Sequence, residues 1–199
     1  MSKFSSDVAR YRANGQNGKN LWLEPAVWAV ATYRLGNWLH IKRPTLLVRI
    51  PLKLVAFLAY KFCEVFMEMQ ISSEATIGEG LYVGHIGGVH INPEAIIGKN
   101  CDIAHRVTIG ASAMGRKGAP IVGDDVYIGT GATLIGKIKV GSRSKIGANT
   151  LVIDNIPEGA TVMGVPGRIM VFPSMPAAPP KPTSAPEPAV VTIEKLNLQ

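Results

Sequence analysis

An aliphatic residue returns every six positions over most of the stretch from Ile71 to Val152, and this period constrains the fold more than any other feature. The next residue is usually small, most often a glycine. An amphipathic helix would repeat at about 3.6 residues and a simple strand at 2, whereas this pattern is typical of hexapeptide repeats stacked into a parallel β-helix. We therefore predict a mainly β fold. The three frames are Ile71, Ile77, Val83 and Val89; Ile97, Ile103 and Ile109; and Val122, Ile128, Leu134, Val140, Ile146 and Val152.

Composition divides the 199 residues into four parts. Residues 1–20 are polar and rich in Gly and Asn, which predicts a flexible leader. Residues 21–70 carry apolar residues at helical spacing, and Pro44 and Pro51 interrupt them, so we expect two or three helices and no single long one. Residues 71–171 form the predicted β-helix, and the Pro/Ala-rich tail 172–199 is expected to be extended or disordered.

The net charge of +7 favours an anionic ligand or surface. Lys and Arg are dispersed and aromatic residues make up 7% of the chain, so nucleic-acid binding is disfavoured. The apolar stretch from Leu46 to Met67 contains Arg49, Lys53 and Lys61, which argues against a membrane-spanning helix. We expect it to pack on the β-helix or on a neighbouring subunit, with peripheral membrane docking as the alternative.

The two cysteines and the N-terminus indicate the compartment. Cys63 and Cys101 lie in different segments without a CxxC spacing, so neither a disulfide framework nor a zinc site is indicated. The first twenty residues contain no apolar signal core. We expect a cytoplasmic protein, with the inner face of the membrane as a further option.

The repeat is interrupted twice. Eight residues separate Val89 from Ile97, an insertion of two that contains the turn-forming pair Asn92-Pro93. Thirteen residues separate Ile109 from Val122, and the small, polar residues 111–120 predict a protruding loop.

Two histidines take equivalent places in the repeat. His85 and His105 are each the third residue of a hexapeptide, three units apart, so they should stack on one side of adjacent coils. A neutral imidazole is well suited to accept a proton near pH 7. The competing interpretation is that each histidine merely caps a turn. His90 should point to another face and His40 lies in the helical region, so neither is favoured as a site residue.

The segment IGEGLYVGHIGGVHINPEAIIGKNCDIAHRVTIGA and the repeats that follow it resemble the serine acetyltransferase family of hexapeptide acyltransferases, over residues 71–169. The resemblance implies a left-handed β-helix and a homotrimer or a dimer of trimers. It also implies acetyl-CoA as acetyl donor, bound between subunits without any metal. The family's catalytic histidine matches His85 in GHIGG, which would act as general base.

Four positions depart from the family pattern. Gln70 and Gly84 replace aspartates that serve the catalytic histidine, and Gly118-Ala119 replaces an Arg-His pair that helps hold the amino acid. A site for a zwitterion needs such fixed charges. The pattern looks closer to the enzymes of capsule and exopolysaccharide synthesis, which also carry a histidine before VTIG, here His105. We therefore predict a sugar hydroxyl as acceptor, with serine as the alternative.

The resemblance also suggests binding residues. Gly110, Thr130 and Ala148 match positions along the pantetheine arm of the donor, and Lys145 and Arg168 are candidates for the CoA phosphates. Arg116 and Lys117 in the loop are candidates for the acceptor.

Three questions stay open from the sequence. The acid partner of His85 is unassigned among Glu74, Glu79, Glu94 and Asp102. A non-catalytic trimeric scaffold is one competing function. A metal-dependent hydrolase of the carbonic-anhydrase type is another, and it would need three convergent histidines.

Overall fold

A computed structural model describes residues 3–15, 19–113 and 117–170 of the chain. Four helices come first and a β-helix follows them. The predicted tail 172–199 lies outside the described residues. The helices are α1 (Lys3–Ala13), α2 (Lys19–Leu23), α3 (Pro25–Lys42) and α4 (Leu46–Phe66).

Short parallel strands build the β-helix as three sheets, with five strands in the tallest parallel stack. The first sheet contains β1 (Met69–Ile71), β4 (Val89–Ile91), β7 (Thr108–Gly110), β10 (Thr133–Ile135) and β13 (Leu151–Val152). The second contains β2 (Thr76–Ile77), β5 (Ile96–Ile97), β8 (Ile121–Val122) and β11 (Lys139–Val140). The third contains β3 (Tyr82–Val83), β6 (Asp102–Ile103), β9 (Tyr127–Ile128), β12 (Lys145–Ile146), β14 (Thr161–Met163) and the antiparallel β15 (Arg168–Met170). The predicted architecture, a parallel β-helix preceded by helices, is confirmed.

The repeat residues form the core of the β-helix. Side chains such as Ile77, Val83, Ile103 and Ile128 are almost completely buried, because each points inward from its strand. The small residue that follows allows the coils to approach closely. A Cβ atom added at Gly98 would lie 2.6 Å from backbone atoms of the next coil, so glycine is required there.

The two-residue insertion lies earlier than the spacing suggested. Ile91 pairs with Ile71 on one side and Ile109 on the other, so Ile91 and not Val89 continues the repeat. The extra residues therefore fall between Val83 and Ile91. Asn92-Pro93 belongs to an ordinary turn, and the enlarged corner is the one that contains His85.

Side chains of α1 and α3 cover the open end of the first coil. The Tyr11 hydroxyl donates to the carbonyl of Val83 and accepts from its N–H, both at 3.1 Å. The Tyr33 hydroxyl donates to the Ala75 carbonyl at 2.9 Å and accepts from the Ile77 N–H at 3.1 Å. A terminal coil has no preceding strand, so these hydroxyls satisfy backbone groups that would otherwise be buried without partners.

The prediction of a flexible leader is wrong for residues 3–13. These residues form α1, and Asp7 is buried in a two-point ion pair with Arg34 of α3, with N–O distances of 2.8 and 3.0 Å. Asp7 also accepts the N–H of Leu81 at 2.8 Å. The local composition predicted mobility because the residues that bind this segment lie far away in the sequence.

Three separate helices, α2, α3 and α4, occupy the helical segment, which agrees with the prediction of two or three helices and no single long one. Pro44 does lie between α3 and α4, but Pro51 lies inside α4, which has 21 residues. A proline there removes only the hydrogen bond to the carbonyl of Leu47, whose residue is 90% exposed, so water can replace the lost donor. In the part of the chain that the structure describes, no helix is long and apolar enough to cross a membrane.

One face of α4 packs against the protein, and the opposite face is apolar and exposed. The buried side includes Ala56 and Cys63. The outward apolar side chains, all at least half exposed, are Leu46, Leu47, Ile50, Leu54, Val55, Phe57, Leu58, Phe62, Val65 and Phe66. A patch of this extent usually marks an interaction surface.

Candidate active site

The enlarged corner carries His85 between β3 and β4. Its imidazole is exposed and has no hydrogen-bond partner among the described residues. Gly87 and Gly88 follow in left-handed backbone conformations, with φ of 105° and 67°. A Cβ atom at Gly88 would lie 3.1 Å from Cα of Arg106 in the next coil. The two glycines therefore let the widened corner fold back against the coil that carries the second histidine.

His85 and His105 come together, as the spacing predicted. Their ring centroids are 5.8 Å apart and the rings meet edge to face at 67°. His105 is partly buried, and its Nδ1 is inaccessible to solvent and has no hydrogen-bond partner. An unpaired buried nitrogen costs about 1–3 kcal/mol, which marks His105 as a residue whose polar contact is incomplete in the isolated chain.

The acids considered as partners of His85 are placed elsewhere. Asp102 forms an ion pair with Arg10. Glu79 pairs with Lys99 at 3.0 Å, and this hydrogen bond and charge lower the pKa of the Glu79 carboxyl. Glu74 and Glu94 are exposed. None of these four carboxylates is therefore paired with His85 in the described part of the chain.

The corner that carries His85 and His105 recurs in each successive coil, and we call these stacked positions the corner column. Two predicted donor-binding residues lie in it. The N–H of Gly131, next to Thr130, donates to the His105 carbonyl at 3.1 Å. The N–H of Asn149, next to Ala148, donates to the Thr130 carbonyl at 2.7 Å. Thr130 and Ala148 thus lie one and two coils beyond His105 along the same edge.

The other predicted residues lie outside this column. Gly110 ends β7 in the first sheet, on another side of the β-helix. Lys145 is exposed on β12, and Arg168 is exposed on the terminal strand β15. Lys117 is exposed in the protruding loop, whose base is closed by hydrogen bonds between Ser112 and Gly118.

The prediction for Arg116 lies outside the described residues.

One polar pair was missed by the sequence analysis. Gln70 on β1 and His90 on β4 are neighbours in the first sheet, and Gln70 Oε1 lies 2.9 Å from His90 Nδ1. The corrected register could have revealed it, since both residues precede aligned isoleucines, Ile71 and Ile91.

Comparison with known proteins identifies the relatives of this chain. Residues 119–154 match the family of bacterial transferase hexapeptide repeats. Serine acetyltransferase of Mycobacterium tuberculosis is 40% identical over 147 residues, which cover 73% of this chain and 61% of that enzyme. Serine acetyltransferase of Helicobacter pylori is 32% identical over 169 residues, which cover 82% of this chain and 94% of that enzyme. The chain belongs to the serine acetyltransferase family.

A solved structure supports the same relationship. A serine acetyltransferase in complex with CoA superimposes with a TM-score of 0.70 at 27% identity, covering 84% of this chain and 68% of that chain. The present member of the serine acetyltransferase family spans about 61% of the length of the Mycobacterium tuberculosis enzyme. It matches almost the whole of the shorter Helicobacter pylori enzyme.

Proposed function

We propose that this protein is an acetyl-CoA-dependent O-acetyltransferase that uses His85 as general base. The pairing of His85 with His105 in the enlarged corner is the observation that carries the proposal. Family membership supports the same chemistry, and a serine acetyltransferase has been solved with CoA.

In the proposed reaction, the neutral imidazole of His85 takes the proton of the acceptor hydroxyl as its oxygen attacks the thioester carbonyl. The tetrahedral intermediate collapses, the C–S bond breaks, and the CoA thiolate takes the proton back from the imidazolium. The ester product and free CoA leave, and the enzyme is unchanged. His105 would contact the acceptor or position His85, which would satisfy its unpaired Nδ1.

Acetyl-CoA would lie along the corner column. Thr130 and Ala148 continue the edge from His105, and both are accessible to solvent. The exposed side chains of Lys145 and Arg168 could neutralise CoA phosphates near the end of the β-helix. Gly110 is less well placed because it lies in a different sheet.

L-Serine is the acceptor that the comparisons favour, which reverses the order expected from the four altered positions. The relatives matched over most of their length are serine acetyltransferases. The sugar-hydroxyl acceptor has no support from the comparisons. It stays a second candidate because the altered positions offer no fixed charge: the Gln70 amide is bound to His90, and Ala119 is buried.

An acceptor panel tests the proposal. The purified protein is incubated with acetyl-CoA and either L-serine, simple sugars, nucleotide sugars or no acceptor, and the release of free CoA is followed. We expect saturable, acceptor-dependent release, with L-serine first. Release with sugars alone would reverse the assignment of the acceptor. Absence of CoA binding and of release with every acceptor would instead favour the non-catalytic scaffold.

We also propose a cytoplasmic homotrimer or dimer of trimers. The exposed apolar face of α4 supports an oligomer, since a subunit contact would remove it from water. Light scattering of the protein and of a Leu47→Glu, Leu54→Glu double variant tests this, and we expect the variant to form smaller species. Co-sedimentation with anionic vesicles, lost in the same variant, would support peripheral membrane docking instead.

A further inference from the structure

A cavity of about 300 Å³ lies on the outer side of the first sheet and is lined by residues of β1, β4 and β7. The described residues that line it include His90 and Gly110 but none of 84–88, so it is separate from the corner that carries His85. His90 and Gln70 contact each other at this cavity. Gln70 is one of the four altered positions, but neither residue takes part in the proton transfer proposed for His85.

A chain of hydrogen bonds leads from α4 to His90. Glu64 pairs with Lys61 through one carboxylate oxygen. The other oxygen accepts from Gln70 Nε2 at 2.8 Å. Gln70 Oε1 then lies 2.9 Å from His90 Nδ1. The hydrogen bond and charge of Glu64 raise the pKa of the Lys61 ammonium, as expected for an ionised Glu64 beside it.

These contacts determine which nitrogen of neutral His90 carries the proton. An ionised carboxylate only accepts hydrogen bonds, so the amide group facing Glu64 must be the NH₂ group. Turning the amide over would bring two acceptors together. The Gln70 oxygen therefore faces His90, and it can only accept. Nδ1 of His90 must then be the N–H, which leaves Nε2 as a hydrogen-bond acceptor.

Besides the apolar residues Ile91, Pro93 and Ile109, the cavity is lined by polar side chains without formal charge. Tyr60 and Thr108 offer hydroxyls. The Asn92 carbonyl oxygen is already engaged by the N–H of Glu94, so its NH₂ group is left as a donor. Among the described lining residues there is no Lys, Arg, Asp or Glu. A zwitterion would find no charge to pair with, whereas a hydroxyl can donate to Nε2 and accept from these donors.

We propose that this cavity binds an uncharged, polyhydroxylated ligand such as a sugar unit, with a hydroxyl donating to Nε2 of His90. Gln70 and Glu64 act as positioning residues, because they hold His90 in the tautomer that accepts. The site requires no acetyl transfer, so it can exist whether or not His85 is the base of the proposed reaction.

The tautomer is tested directly by NMR. In protein with ¹⁵N-labelled histidine, above the pH at which imidazole titrates, we expect His90 to show protonated Nδ1 and unprotonated Nε2. His90→Asn assigns the signals, and the exposed His40 is the internal control. Gln70→Leu should release His90 to a mixture of tautomers like that of His40. A protonated Nε2 in the unaltered protein would overturn the hydrogen-bond assignment.

Ligand binding is tested with methyl β-glucoside and glycerol as neutral probes and L-serine as the charged probe. The signals of the cavity residues are followed during titration. We expect the neutral probes to bind at the cavity, and Gln70→Leu to weaken them about two- to tenfold, the value of one hydrogen bond. His85→Ala should abolish acetyl transfer and leave this binding unchanged.

Other outcomes contradict the proposal in distinct ways. Binding of L-serine at the cavity without the neutral probes would overturn the ligand class, as would no binding of either. Equal binding of the neutral probes to the unaltered protein and to Gln70→Leu would overturn the role of the positioned His90. Absence of acetyl transfer by the unaltered protein, with the neutral probes still bound at the cavity, would count against the proposed function and leave this site standing.

Discussion

Replacing Tyr11 by Phe should destabilise the fold strongly, although it removes a single oxygen atom. The Tyr11 hydroxyl is bonded to both the N–H and the carbonyl of Val83, a residue with no exposed surface. Phenylalanine would leave both groups buried without partners. Each costs about 1–3 kcal/mol, so the free energy of unfolding should fall by about 2–6 kcal/mol.

Two further substitutions make the test quantitative. Tyr33→Phe should cost less, about 1–3 kcal/mol, because the Ala75 carbonyl keeps the Asn37 amide at 3.2 Å and only the Ile77 N–H loses its partner. Tyr127→Phe is the matched control, since Tyr127 is 48% exposed and its hydroxyl has no partner among the described residues. It should change stability by no more than about 0.5 kcal/mol.

Urea unfolding at a fixed protein concentration measures all three variants, because any oligomer makes stability depend on concentration. A loss of about 3 kcal/mol would also lower Tm by about 6–12 °C for a chain of this size. We expect the order Tyr11→Phe, then Tyr33→Phe, then Tyr127→Phe. If Tyr11→Phe were as stable as Tyr127→Phe, the account of the helices as a cap on the first coil would be refuted.

Three further outcomes are expected. Burial raises the pKa of Tyr11 and of Tyr33 above the usual value, so the native state keeps protons that the unfolded chain releases. The free energy of unfolding should therefore fall as the pH rises beyond about 10, and it should fall less steeply in Tyr11→Phe. Urea unfolding at several pH values measures this, and the same pH dependence in both proteins would contradict it. Burial also raises the pKa of the Cys101 thiol to about 11 and the pKa of Cys63, so neither should react with a thiol reagent until the protein unfolds; rapid labelling of the native protein would argue against this packing. Gly88→Ala should lower the free energy of unfolding by about 1–2 kcal/mol, because Gly88 combines a φ of 67° with a close backbone neighbour. Gly84→Ala in the same corner lacks this combination and should be tolerated. Equal stabilities of the two variants would show that the corner is not strained.

The sequence predicted the features that follow from a local period. A six-residue repeat indicates a β-helix, and counting repeat units identifies the residues that stack in adjacent coils. The buried repeat residues and the stacking of His85 on His105 could therefore be predicted. The position of the insertion could not. Val89 and Ile91 are both aliphatic and both buried on β4, and only the pairing with Ile71 and Ile109 decides between them.

Polar contacts between residues far apart in the sequence could not be predicted either. Asp7 meets Arg34 across 27 residues and Leu81 across 74, and no periodicity records such a partnership. The link from Glu64 through Gln70 to His90 joins the end of a helix to two adjacent coils. Its chemistry depends on which atoms face each other, and that becomes visible only when the register is known.

The most direct test of the central claim is the turnover of acetyl-CoA by three proteins with the best acceptor from the panel. The unaltered chain and His40→Ala, which changes an exposed histidine of α3, should release CoA at the same rate. His85→Ala should be slower by about 10²–10⁴-fold in kcat, the usual contribution of a general base. Turnover by His85→Ala within about threefold of the unaltered chain, a difference of about 0.7 kcal/mol, would contradict the assignment of His85 as the base.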